Sequence, residues 1–370
     1  MVQQQEHFFF EPLPQRRFDA LLGDPVFKAA QHRWGLHATT RLCAFRFQRD
    51  SGSSNMNNNA VSSVHLRFSG FHRGLLPEFL QALFEAPAVR EGLALRAEAE
   101  ASAGGGGVDY CELRCCWTTL QPFARLAAAG VVRHVEPSAD GDSNDKNKIK
   151  DDDDEVAPFD GVRMPVVRRA DVYLPHDIAV TDELRALFLL AHNGGACGGD
   201  NSDDDDDDND DAFGFGARGQ LSTAALRSVF SKEERSEFLY HILWRLVAGG
   251  GSTNQWDDEL TVYLEAARIF YKSLVAIRLA QVSATSSQTT AAAGTTAAVV
   301  DEPDRGVEDD DALKRGTLVP EVVSTVVSVR NVHGVRLFDR SDDAEPSNLN
   351  YCYVCINPAQ SEVVVWYHCF

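Results

Sequence analysis

Three groups of residues have types that could do chemistry: Cys352 with Cys355, Cys111 with Cys115 and Cys116, and His368 next to Cys369. Cys352 and Cys355 have the spacing of a zinc half-site, which needs two thiolates converging on one tetrahedral ion. Both lie in an alternating apolar run, however, and in a strand an odd separation sends side chains to opposite faces. Among Cys111, Cys115 and Cys116, the first two share a strand face, but no histidine follows at ligand spacing. His368 and Cys369 have the residue types of a base and a nucleophile, yet neighbours in a strand point apart and cannot share the hydrogen bond that activates a thiol. All of these read as packed residues, and His368 as a buried, hydrogen-bonded imidazole.

Two further stretches imitate ligand sites. Asp203 to Asp208 has the charge to attract calcium, but it lacks the glycine turn and distal glutamate of a helix-loop-helix calcium loop. Gly104 to Gly107 lacks the lysine and hydroxyl residue of a nucleotide loop. Arg16-Arg17 and Arg168-Arg169 are isolated pairs, short of the basic track that nucleic acid requires. The sequence therefore predicts no catalytic residue, no cofactor and no metal, and no nucleic-acid or membrane partner. Exposed aromatics commonly anchor protein interfaces, so Tyr271, Lys272, Tyr367 and Phe370 are the candidate partner surface.

These residues must be positioned by a set of short elements. Asp24 caps a helix with Pro25 at its first position, and another short helix follows Leu13. Cys43, Phe45 and Phe47 share a strand face, with a partner strand through Val64, Leu66 and Phe68. A helix over about Pro77 to Phe84 buries Phe79, Leu80, Leu83 and Phe84 and ends before Pro87. The strand after the glycine run sets Cys111, Leu113, Cys115 and Trp117 against Glu112, Arg114 and Cys116. Val166 to Tyr173 reads as one strand, and Thr181 as the cap of a helix through Leu184, Leu187 and Phe188. Val323, Thr325, Val327 and Val329 alternate with Val322, Ser324, Val326 and Ser328, which suits a half-buried strand. Tyr351 to Ile356 and Val363 to Phe370 form an antiparallel pair around Asn357-Pro358-Ala359-Gln360-Ser361.

The clearest pattern runs from Phe230 to Arg278. Ser231 and Glu234 make a capping box. A helix then carries Phe238, Leu239, Ile242, Leu243, Leu246 and Val247 up to Gly249-Gly250-Gly251. A second helix carries Leu260, Tyr263, Leu264, Ala267, Phe270, Tyr271, Leu274 and Ile277, with Glu265 and Arg268 outside that stripe. This is a buried helical hairpin and the expected main helical layer.

The formal charge of −20 is concentrated in residues 140–155, 200–211 and 301–311, leaving the remainder balanced. Such runs repel themselves and do not pack. With the low-complexity tracts at 51–60, 102–107, 138–157, 193–219, 281–316 and 340–349 set aside, enough chain remains for one elaborate α+β domain spanning 1–370. Its mainly antiparallel sheet would be packed with helices, and the disordered acidic inserts would lengthen its loops at small entropic cost. Eight cysteines without a framework, and an amino terminus without a signal peptide, fit a reducing compartment. The uncharged stretch from Leu279 to Val300 is too rich in Ser, Thr and Ala for a bilayer and reads as a linker.

The hairpin segment resembles the family of cilia- and flagella-associated protein 300 at Phe230-Ser231, Glu237-Phe238-Leu239, Gly249-Gly250, Tyr263-Leu264-Glu265 and Tyr271-Lys272-Ser273-Leu274-Val275 with Arg278. Phe9-Phe10-Glu11-Pro12-Leu13-Pro14-Gln15, Ala44-Phe45-Arg46-Phe47, Asp182-Glu183-Leu184-Arg185, Tyr353 to Pro358 and Tyr367-His368-Cys369 are similar to the family's other motifs in the same order. The resemblance implies a non-enzymatic protein of cytoplasm and axoneme that assembles or delivers outer and inner dynein arms. Its implied partners are kintoun-like cytoplasmic assembly factors or axonemal dynein subunits, with intraflagellar transport as a route. A resident structural component of the axoneme and a divergent His/Cys enzyme are the alternatives.

Overall fold

The computed structural model describes residues 7–14, 18–50, 73–97, 107–135, 164–174, 178–190, 228–250, 255–282, 317–338 and 349–369. In chain order the elements begin with β1 (His7–Pro12), α1 (Asp19–Gly23), α2 (Pro25–Arg33), β2 (Thr40–Asp50), α3 (Leu76–Glu85) and α4 (Pro87–Leu93). They continue with β3 (Arg96–Ala97), β4 (Asp109–Leu113), α5 (Arg125–Ala128), β5 (Val132–Val135), β6 (Met164–Val167), β7 (Arg169–Leu174), β8 (Ile178–Asp182) and α6 (Glu183–Leu190). The carboxyl-terminal part holds α7 (Lys232–Arg235), α8 (Phe238–Ala248), α9 (Leu260–Leu274), β9 (Ile277–Val282), β10 (Thr317–Val322), β11 (Thr325–Asn331), β12 (Val335–Arg336), β13 (Tyr351–Asn357) and β14 (Glu362–His368).

Among the described residues, six strands pair in the order β1-β2-β14-β13-β11-β4, and every pairing is antiparallel. This is the expected α+β architecture. The terminal hairpin lies at the sheet's centre, with Tyr353 opposite Trp366 and Asn357 opposite Glu362. Ser361 takes a positive φ of 53° in the turn, and Asn357 Nδ2 donates to Gln360 Oε1 at 2.8 Å.

Two apolar clusters flank the sheet. Leu42, Ala44, Val326, Cys355 and Trp366 face α8, α9, α6 and α2, while Phe45, Phe47, Val327, Cys352 and Val365 face α3 and α4. The central strands are therefore buried on both sides, which is why Val363 to Tyr367 is a continuous apolar run rather than an alternation. The hairpin forms the helical layer on one face only. Strand β11, expected half-buried, also buries both Val326 and Val327.

Local rules place several helices correctly. Asp24 Oδ1 accepts from Phe27 N at 2.7 Å, and Pro25 takes the first position of α2. Phe79, Leu80, Leu83 and Phe84 are all buried in α3. Pro87 does not end that region but opens α4, because the extended Ala86 before it closes one helix and begins the next.

Other expectations need correction. Val166 to Tyr173 is divided at Arg168 between β6, which pairs with β5, and β7, which pairs with β8. The cap of α6 is Asp182, whose carboxylate accepts from Arg185 N at 2.7 Å, and Thr181 lies in β8. The strand through Cys111 ends at Leu113, although the alternation continues with Arg114 exposed and Cys115 half-buried. Leu279 to Val282, assigned to the linker, belong to β9. The strand proposed through Val64, Leu66 and Phe68, and most of the low-complexity tracts, lie outside the described residues.

Candidate functional site: a helical hairpin and the ribbon it presents

The hairpin begins with the expected capping box: Ser231 Oγ accepts from Glu234 N at 3.3 Å, and Glu234 Oε2 accepts from Ser231 N at 2.9 Å. The helix does not run on from there. It stops after one turn, because Ser236 and Glu237 pair with the chain just beyond β4. Arg114 N donates to Ser236 O at 2.9 Å, and Phe238 N donates to Arg114 O at 2.7 Å. The Glu237 carboxylate, 2% exposed, then accepts from Cys116 N at 2.9 Å and Trp117 N at 3.2 Å, with Arg114 Nε 3.4 Å away. Helix propensity is overridden by a main-chain bridge and a buried anion that satisfies two amides.

Helix α8 is buried along its whole length. It carries polar groups into the core: Arg245 Nε donates to Tyr353 Oη at 2.9 Å, and His241 Nδ1 lies 3.0 Å from the same oxygen. The Arg245 guanidinium lies 3.7 Å from the Trp244 ring centroid and 5.0 Å from that of Tyr351, so aromatic faces help hold a charge inside the protein. Gly249 ends the helix at φ 70° and ψ −172°, a conformation almost confined to glycine.

The turn between α8 and α9 is tied into neighbouring elements. Gly250 N donates to Trp34 O at 2.9 Å and Gln255 N to Arg33 O at 2.7 Å. Asp257 accepts from Arg33 Nη2 at 2.8 Å and from Trp34 Nε1 at 2.8 Å, while the Trp34 ring stacks on Tyr263 at 4.8 Å. Asp258 pairs with Arg169, and its carbonyl accepts from Val167 N at 2.7 Å. Arg185 lies 4.1 Å over the Trp256 ring. These acids anchor the hairpin tip.

Helix α9 buries Leu260, Tyr263, Leu264, Ala267, Phe270, Tyr271 and Leu274, and Arg268 pairs with Glu265 at 2.7 Å on the exposed side. The candidate partner surface is corrected here. Tyr271 is buried on the stripe that faces Phe238, since it falls four residues after Ala267. Tyr367 is buried as well: its hydroxyl donates to Leu337 O at 2.6 Å and its ring stacks on Phe338. Lys272 is exposed, and Phe370 lies outside the described residues.

The exposed apolar residues are elsewhere. Ile277, expected on the helical stripe, follows the end of α9, where Val275 turns to an extended conformation. It opens an antiparallel ribbon in which Ile277 opposes Val322, Leu279 opposes Pro320 and Arg278 opposes Glu321. Ile277 is 44% exposed, Leu279 65% and Val319 43%. Arg278 and Glu321 form an ion pair at 2.8 Å on the opposite side of the ribbon from Ile277 and Leu279. The alternation of Ile277, Arg278, Leu279 and Ala280 was the available signal, hidden because Ile277 also fits the helical spacing.

The thiol and imidazole candidates do not converge. Cys352 and Cys355 lie in opposite clusters, and burial raises the Cys352 thiol far above its ordinary range. Burial also pushes Cys115 up to about 12, reinforced by the charge of Glu237. Among the described residues no group of three His, Cys, Asp or Glu side chains could hold a metal ion. His368 stacks on Tyr351, whereas Cys369 packs against the opposite cluster. Asp203 to Asp208 and residues 104–106 lie outside the described residues.

His368 Nδ1 donates to Leu349 O at 3.1 Å, and its Nε2 is buried without a partner among the described residues. Burial, and secondarily the Arg245 charge, lowers its pKa to about 4. Unfolded histidine titrates near 6.5, so the folded state binds fewer protons between these values. The contribution is complete above about pH 6.5 and is lost as pH falls toward 4. We expect a loss of about 2 kcal/mol between pH 7 and pH 5, removed in His368→Asn and measured by urea unfolding at both pH values.

No solved structure matches the chain. Among the described residues no helix is long and apolar enough to cross a membrane. Residues 223–290 match the family model of cilia- and flagella-associated protein 300, a segment that takes in α7, α8, α9 and β9. Through this hairpin, the packed centre of one face of the sheet, the chain is similar to the cilia- and flagella-associated protein 300 family.

Proposed function

We propose that this cilium- or flagellum-associated protein is a non-enzymatic binding protein that assembles or delivers axonemal outer and inner dynein arms, acting from the cytoplasm and the axoneme. The observation that supports this reading is the division of labour within the family-matched segment. Its two long helices, α8 and α9, pack into the core and are tied at both ends, while its last strand, β9, carries Ile277 and Leu279 into solvent on one face of the ribbon, with Val319 of β10 exposed on the other face. A rigid base with an exposed apolar ribbon suits recognition of another protein. The partners that fit are kintoun-like assembly factors or axonemal dynein subunits, with intraflagellar transport as a route of delivery.

The test is electron microscopy of axoneme cross-sections after deletion of the gene and re-expression of the intact chain or of Leu279→Asp. The intact chain is expected to restore both rows of arms. Leu279→Asp should retain the fold, because Leu279 is 65% exposed, but weaken co-purification with assembly factors at least about tenfold. Intact arms in the deletion overturn the assembly role. Full rescue by Leu279→Asp removes the ribbon from it. Recovery of the protein in the salt-resistant axonemal fraction would favour a resident structural component instead.

A further inference from the structure

Strand β1 stands at one edge of the six-stranded sheet, and among the described residues it pairs with β2 alone. Its geometry identifies which amides point outward. Leu13 N donates to Ala44 O at 2.8 Å, continuing the register in which Pro12 opposes Phe45. Directly opposed antiparallel residues alternate between hydrogen-bonded and non-hydrogen-bonded pairs, so Phe9 and Glu11 also bond toward β2. On the far side of β2, Phe47 N donates to Ser361 O at 2.8 Å, which independently gives Arg46 and Gln48, the partners of Glu11 and Phe9, to the β1 side. The main-chain groups of Phe8, Phe10 and Pro12 therefore face away from the sheet.

We propose that this edge is a self-association seam, on which β1 of a second copy adds antiparallel and joins two sheets into one. An antiparallel register centred on Phe9 is self-consistent. Phe8 then opposes Phe10 of the second copy, and both are outward-facing residues, so the two-fold arrangement closes four main-chain hydrogen bonds. Phe9 opposes its own copy as a non-hydrogen-bonded pair, the closer of the two kinds of pair, and covers a ring that is otherwise 60% exposed. Glu11 stands across from residue 7 of the copy, a histidine in the sequence. Pro12 has no amide to donate, which ends the seam and accords with an outward position at a sheet edge. Phe8 and Phe10 are already fixed by edge contacts with Phe79 at 5.2 and 5.4 Å, so the strand is preorganised.

A seam this short falls below the roughly 1,200 Å² of a stable interface, so association should be weak, on the order of tens of micromolar. The test is analytical ultracentrifugation of the full chain up to about 200 μM, well above that range. A monomer–dimer equilibrium is expected for the wild type. In Phe9→Lys two like charges would meet at the centre, and dissociation should rise at least about tenfold with an unchanged far-ultraviolet spectrum. In a second arm, Phe9→Cys is oxidised with glutathione disulfide, the two new thiols forming one disulfide while glutathione disulfide is reduced to two glutathione molecules. The Cα spacing of about 4.5 Å at a non-hydrogen-bonded pair suits that bond. Peptide mapping should locate a 9–9 cross-link that the wild type, with its native cysteines, cannot form. A monomer throughout the range, a dimer insensitive to Phe9→Lys, or cross-links mapping elsewhere would each overturn the proposal. Retention of β1 by an unrelated extended segment, with no self-association, would also overturn it.

Discussion

Glu237→Ala is expected to lower the unfolding free energy by about 3 kcal/mol, measured by urea denaturation. The carboxylate is 2% exposed and accepts from the amides of Cys116 and Trp117. Alanine leaves two buried donors without their acceptor, each costing about 1–3 kcal/mol before relaxation. Arg114 is half exposed and can return to water, so its loss of a partner adds little. Glu237→Gln keeps an acceptor oxygen and should lose roughly half as much. Because the same residue joins the sheet's β4 end to α8, amide exchange should accelerate first around Arg114 and Phe238. Equal stability of the alanine variant and the wild type would show that the bridge holds without its carboxylate.

Gly250→Ala should cost about 3 kcal/mol, for a reason that has nothing to do with helix propensity. A Cβ at this position would lie 2.5 Å from the carbonyl oxygen of Gly35 and 2.9 Å from Nε2 of His368. Backbone cannot retreat as a flexible side chain can, and Gly250 N is itself bonded to Trp34 O at 2.9 Å. The clash must separate the hairpin turn from the loop after α2 or displace His368 from its stacking on Tyr351. A drop in thermal midpoint of well over the change seen for an exposed glycine, such as Gly23→Ala, is the expected readout, since a Cβ at Gly23 meets nothing within 4 Å. Near equality of the two variants would refute the close approach. The displaced imidazole should also regain access to water, so Gly250→Ala is expected to weaken the acid sensitivity attributed to His368.

Both effects lie within the segment that carries the family match, yet the sequence exposes them unequally. Gly249-Gly250-Gly251 marks a helix stop in sequence, and Gly249 fulfils it through its positive φ. That Gly250 is there to let two chains touch depends on Gly35 and His368, more than a hundred residues away on either side. Similarly, Glu237 resembles an ordinary early-helix acid until Cys116 and Trp117 are brought to it.

Local chemistry determined what neighbours within a few residues can settle. The Asp24-Pro25 start, the Ser231-Glu234 capping box, the apolar stripe of α9 and the terminal antiparallel pair each rest on short-range geometry and were legible as such. The opposition of Cys352 and Cys355, and of His368 and Cys369, followed from the two-residue period of a strand. Tertiary structure decided the rest. It divided Val166 to Tyr173 between two partners, broke the helix at Ser236 and Glu237 with a distant bridge, and buried both faces of β11. It also enclosed Tyr271 and Tyr367 while leaving Ile277 and Leu279 in solvent. Residue type and period assign a side chain to a face of its own element, but what covers that face is fixed by elements remote in the chain, and no local pattern encodes it.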